Sequence, residues 1–225
     1  LQSVVVGAKW LALAALLLVC AVLWWGLRSL RLVFIASLTL GVGLSLSAGF
    51  AALAVGHLNM ISVAFAVLYI GLGIDYAIHF LLHVREQRAQ GGDTRAAVRQ
   101  SAGRLGGTLA LCAVSTSLAF FAFIPTDFLG VAELGLIAGV AMLIGLGLSF
   151  TLMPALLRLV SPARRPPPLP PPPIGVLLWP ATHRPRWVLA LAGVATLLAL
   201  LSLPGLRFEH NPLNLRDPDS ESVAT

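Results

Sequence analysis

The sequence predicts an all-α polytopic membrane helix bundle with six transmembrane helices, and three observations carry that expectation. Hydrophobic residues make up 58% of the 225-residue chain and charged residues only 11%, where a soluble domain carries about 25% charged residues. Mean hydropathy is +0.90. Apolar runs fall at 10–27, 32–55, 60–82, 105–124, 129–157 and 187–203, close to or above the roughly 18 residues that span a bilayer. Each run must be helical, because lipid offers backbone N–H and C=O groups no other partner.

At a rise of about 1.5 Å per residue, even the shortest run covers roughly 26 Å, enough for a ~30 Å core with slight thinning. The longest must tilt or protrude, and Pro154 is expected to bend its last turns. The connections assign sides. Arg28 and Arg31 follow the first run, and Arg85, Arg88, Arg95, Arg99 and Arg104 follow the third. Arg158, Arg164, Arg165, Arg184 and Arg186 border the link between the fifth and sixth. These are twelve of the fifteen cationic residues, and strict alternation puts all of them on one side, cytoplasmic by the positive-inside rule. The opposite loops, 56–59 and 125–128, carry no Lys or Arg, and Lys9 is the mild exception. The formal charge of +6 is therefore a topology signal, and a nucleic-acid partner is not expected.

Residues 83–104 read as a 22-residue loop. Gly91-Gly92 breaks it, and Asp93 or Thr94 caps a short helix through Gln100. The proline-rich stretch 166–173 reads as a polyproline II spacer within a cytoplasmic linker, 166–186. That divides the chain into a five-helix bundle within 1–165, the linker, a sixth helix at 187–203, and the start of an extracytoplasmic domain over 204–225. In that last segment Asp217-Pro218 looks like a helix start. The chain opens on Leu1 and ends in a polar stretch at Thr225, which reads as a piece of a longer polypeptide.

Asp75 carries the chemistry. It lies within the third run, where an acid costs about 2.5–3.5 kcal/mol on insertion scales and is normally functional or paired. Gly71, Asp75, His79 and His83 recur every four residues and share one helix face. Tyr76 points about 100° away and can offer its hydroxyl to a second helix. His79 can pass protons to Asp75, as imidazoles commonly do, or act as an interfacial residue. Ser115-Thr116-Ser117 interrupts the fourth run. Such hydroxyls commonly bond the carbonyl one turn back, while Thr116 or Ser115 is placed to reach Asp75. Glu133 lies about one turn inside the fifth run, suited to an outer-interface or a relay role. Ser37, Gly41, Ser45 and Gly49 make a small-residue stripe on the second run, and Gly135 and Gly139 a small-xxx-small pair on the fifth, for helix packing. Cys20 and Cys112 lie inside runs, so neither a disulfide nor a metal site is indicated. The order Gly71-Leu72-Gly73-Ile74-Asp75 differs by one residue from the Gly-x-Gly-Asp of intramembrane aspartyl proteases. Aspartic chemistry needs a second carboxyl close by to share the proton, and no other Asp lies within a run, so proteolysis is not expected.

The segment Gly71-Leu72-Gly73-Ile74-Asp75-Tyr76-Ala77-Ile78-His79-Phe80 resembles the fourth transmembrane helix of lipid transporters in the MMPL branch of the resistance–nodulation–division superfamily. Residues 120–157, including Glu133-Leu134-Gly135 and Met153-Pro154-Ala155, look like its paired fifth and sixth helices. Residues 208–223 are similar to the start of the second periplasmic domain in hopanoid-associated transporters of that branch.

The resemblance implies helices two to seven of a twelve-helix bacterial inner-membrane exporter of hydrophobic lipids, with hopanoids as substrate class. Asp75 and Tyr76 would be half of a proton relay whose matching pair lies on the tenth helix. The implied partners are membrane lipids, a hopanoid-like substrate and the rest of the same polypeptide, with homo-oligomers left open. The drive is the proton motive force, with no organic cofactor, metal or covalent catalysis. A sterol-sensing-like lipid-binding module without pumping and a multidrug exporter of the same superfamily are the alternative readings.

Overall fold

A computed structural model describes residues 17–59, 61–160, 166–167, 179 and 183–202. The described residues are helical, and no strand occurs among them. We label the helices α1 (Leu17–Leu27), α2 (Leu30–Ala54), α3 (Phe65–Ala89), α4 (Thr94–Phe121), α5 (Leu129–Phe150), α6 (Leu152–Val160) and α7 (Pro185–Ser202). A 3-10 turn, Ser62–Ala64, leads into α3. Five stretches among the described residues are long and apolar enough to cross a membrane: α2, α3 with its leading turn, α4, α5 with α6, and α7. The described part of the first apolar run is the 11-residue α1. The chain divides into two units, 1–169 and 170–225. In the second, no described residue of α7 is buried. The expected start of a further domain beyond residue 203, and most of the proline-rich spacer, lie outside the described residues.

The expected 22-residue loop is not a loop. α3 runs on to Ala89 and α4 starts at Thr94, because no helix breaker occurs between His83 and Gly91. Gly91 takes φ +106°, a left-handed conformation that glycine adopts at least cost. The Asp93 carboxylate then accepts a 2.7 Å bond from the Thr94 N–H and caps α4. The short helix expected there is the first part of α4. The arginines assigned to that loop are helical residues as well, and Arg85 and Arg88 are buried.

The bend expected near Pro154 appears as a break at Thr151, between α5 and α6. Proline cannot donate to the Phe150 carbonyl four residues back, and its ring crowds that carbonyl. The Thr151 hydroxyl turns back onto the Gly147 carbonyl at 2.7 Å.

The first unit is organised around α5, which packs against α2, α3, α4 and α6. Small residues set how close its neighbours come. The Phe121 ring of α4 lies where a β-carbon on Gly139 would be, and a β-carbon on Gly135 would lie 2.5 Å from the Phe120 carbonyl oxygen. Ser117 donates across this contact to the Gly139 carbonyl at 2.8 Å. On the other side, the buried Tyr69 ring of α3 fills the space left by Gly43 of α2 and lies against Gly145 of α5. Phe80 and Phe150 close the core edge to face, with ring centroids 5.7 Å apart. Gly41, Gly49 and Gly71 differ: a β-carbon at any of them meets nothing within 4 Å. Gly41 and Gly49 of α2 and Gly71 of α3 thus face open space and make no close contact within this unit.

Gly135→Ala is expected to lower bundle stability by about 1–3 kcal/mol, because its new methyl meets backbone that cannot move aside. Gly147→Ala on the same helix, with open space around it, is expected to change little. Thermal unfolding of the full-length polypeptide in detergent checks the pair, and equal midpoints would contradict this packing.

Candidate functional site

Asp75 lies near the middle of α3, about 15 Å along the axis from Phe65. Gly71, Asp75 and His79 are all exposed, so their four-residue spacing puts one polar stripe on the outer face of an otherwise apolar bundle. Among the described residues, no hydrogen bond or ion pair reaches the Asp75 carboxylate. His83, one turn further, is half-buried and its Nδ1 lies 2.8 Å from the Ser101 hydroxyl of α4.

Tyr76 turns the other way. It is buried against Leu109 and Ala113 of α4, and its hydroxyl lies 3.9 Å from the Met142 sulfur of α5. The pair Asp75–Tyr76 therefore spans the helix, with the acid outside and the phenol in the core. Residues 115–117 divide similarly. The Ser115 hydroxyl bonds back to the Cys112 carbonyl at 3.0 Å, Ser117 reaches α5, and Thr116 is half-buried. No hydrogen bond joins Thr116 to Asp75 among the described residues. Cys20 lies 3.6 Å from the Ser37 hydroxyl, and Cys112 is exposed.

Glu133 belongs to a different cluster, at the opposite end of the bundle from the arginines. Its buried carboxylate accepts a 2.6 Å bond from the Asn59 side-chain amide and lies 3.2 Å from His57 Nε2. The Asn59 side-chain oxygen meanwhile accepts from the Ile61 and Ser62 N–H groups at 2.9 and 2.7 Å. Asn59 thus caps the turn into α3 and clasps it to α5. Asn59 carried no signal in the sequence, since its partner lies 74 residues away. Asn59→Ala leaves a buried carboxylate and a helix start unsatisfied, and is expected to cost about 1–3 kcal/mol. His57→Ala is expected to cost under about 1 kcal/mol, because His57 is 64% exposed. Denaturant unfolding of the full-length polypeptide ranks the two, and a larger loss for His57→Ala would contradict the clasp.

Residues 4–189 match the MMPL family. The chain is 42% identical over 234 residues to the hopanoid transporter HpnN of Burkholderia multivorans (strain ATCC 17616 / 249), covering 100% of this chain and 26% of that protein. It is 38% identical over 225 residues to the hopanoid transporter HpnN of Rhodopseudomonas palustris (strain TIE-1), covering 97% of this chain and 25% of that protein. The chain thus spans about a quarter of the length of the curated relatives it matches. With its apolar helices and this match, the chain is that of a multi-pass membrane protein, and it belongs to the MMPL family.

Proposed function

We propose that this chain is the proton-carrying segment of an exporter of hydrophobic lipids, with hopanoids as the substrate class that the two relatives' names suggest. The observation that supports this most is Asp75: a carboxylate at mid-span, on an outer face, with no hydrogen-bond or ion-pair partner among the described residues. Left against lipid, that acid costs a few kcal/mol. A second helix from the rest of the polypeptide, supplying a polar partner across the stripe of Gly71, Asp75 and His79, removes the cost. The open space at Gly71 allows that helix a close approach.

In this reading Asp75 binds and releases a proton at the interface between the two parts of the protein. Gaining the proton removes a charge from an apolar contact and changes which packing is preferred. Because Tyr76 is the next residue and reaches Met142 on α5, a shift of α3 moves the helix around which the bundle is built. Each elementary charge crossing the membrane supplies about 2.3 kcal/mol per 100 mV, and periplasmic parts of the full-length protein convert the motion into lipid movement. His79 and Thr116 flank the path as weaker proton partners. The arginine-rich ends face the cytoplasm and the membrane is the bacterial inner membrane. The chemistry needs no organic cofactor or metal, since no covalent bond is made or broken.

Asp75→Asn in the full-length polypeptide, reconstituted in liposomes with an imposed proton gradient, is expected to abolish gradient-driven hopanoid movement while leaving thermal stability equal or higher. Tyr76→Phe, which removes only a weak contact to sulfur, is expected to slow transport without abolishing it. Undiminished transport by Asp75→Asn would remove the acid from the mechanism.

A further inference from the structure

At the end opposite the arginines, the segment Gly56-His57-Leu58-Asn59 turns back onto α5. Gly56 takes φ +80°, a left-handed conformation suited to glycine. Gly130 of α5 leaves the space that the Asn59 side chain fills, since a β-carbon there would lie 2.9 Å from its amide nitrogen. The orientation of that amide is fixed. Its oxygen accepts from the Ile61 and Ser62 N–H groups, so its nitrogen donates to Glu133 Oε2. The other carboxylate oxygen, Oε1, lies 3.2 Å from His57 Nε2. The second imidazole nitrogen, Nδ1, lies 3.2 Å from the Val55 carbonyl oxygen. A carbonyl only accepts, so Nδ1 carries a hydrogen. Without a further hydrogen, Nε2 would turn a lone pair toward Oε1 and the contact would repel. The geometry therefore calls for one more proton between Nε2 and Oε1, on either the imidazole or the carboxyl.

We propose that His57 and Glu133 form a proton-binding site that latches loop 56–59 to α5. Water reaches it through the imidazole, which is 64% exposed, while the carboxylate is buried. Loss of the proton to water leaves a neutral imidazole with its Nδ1 hydrogen and a carboxylate still held by Asn59. The Nε2–H···Oε1 bond is then gone and His57 is released, whereas Asn59 keeps the start of α3 on α5. Raising the pH thus opens the latch and lowering it closes the latch. Among the described residues, the end of α2, the 3-10 turn, the first turn of α3 and the last two turns of α4 carry no ionisable side chain. On α5 Glu133 is the sole one, and Asp127 is exposed in the loop before it. The site stands whether or not Asp75 carries a transported proton.

A nitroxide at Leu58→Cys in the full-length protein, with the native cysteines replaced, reads the latch by electron paramagnetic resonance in liposomes. Across the pH range in which the protein stays folded, the ratio of immobile to mobile label is expected to fall about two- to fivefold as pH rises, in a one-proton transition. His57→Gln and Glu133→Gln are each expected to abolish the transition, and Asp75→Asn to leave it in place. His57 is exposed and Glu133→Gln keeps an acceptor for Asn59, so both variants keep their fold, which thermal unfolding checks. A ratio that does not change with pH, a transition that survives in either folded glutamine variant, or its loss in Asp75→Asn would each overturn the proposal.

Discussion

The close approach of backbones along α5 is the constraint on which the rest of the unit depends. In lipid there is little hydrophobic drive between helices, so association rests on packing and on hydrogen bonds across contacts. Gly135 and Gly139 let α4 come near enough for Ser117 to reach a carbonyl on α5. Gly145 and Gly43 leave the volume that Tyr69 fills from α3. These contacts fix α3 about its own axis, with Tyr69, Gly73, Tyr76 and Phe80 inward. The outward orientation of Asp75 follows from that rotation, since a residue next to Tyr76 and four from Gly71 has no other face to occupy.

Positions of the spans were legible in the sequence because hydropathy alone reports them. Their ends were less so. The arginine-rich last turns of α3 and first turns of α4 look like a polar loop to any measure of apolarity, yet helices continue past the membrane until a glycine or a cap stops them. Which glycines pack was only half legible. Gly135 and Gly139 form a recognisable pair and do meet α4. Gly41 and Gly49 form an equally regular stripe and face outward, because spacing places residues on one face without saying what that face meets. Gly43 was passed over since its neighbour is a single ring arriving from α3.

The polar clusters at the two ends escaped the sequence for one physical reason. Asn59 with Glu133, and Arg85 with the turn between α1 and α2, are made by residues 58 to 74 positions apart. Only the antiparallel packing of long helices brings them together. The clasp at one end and the Arg85 contact at the other hold the ends of α3 and leave its middle, with Asp75, as the face turned toward whatever covers it.

The proposed mechanism requires the outer stripe of α3 to meet the rest of the polypeptide and not lipid. A nitroxide attached at Gly71→Cys in the full-length protein, with Cys20 and Cys112 replaced, reports it directly in liposomes by electron paramagnetic resonance. An immobilised label shielded from lipid-soluble oxygen is expected. A mobile label relaxed by oxygen as freely as one on a lipid-facing helix would contradict it.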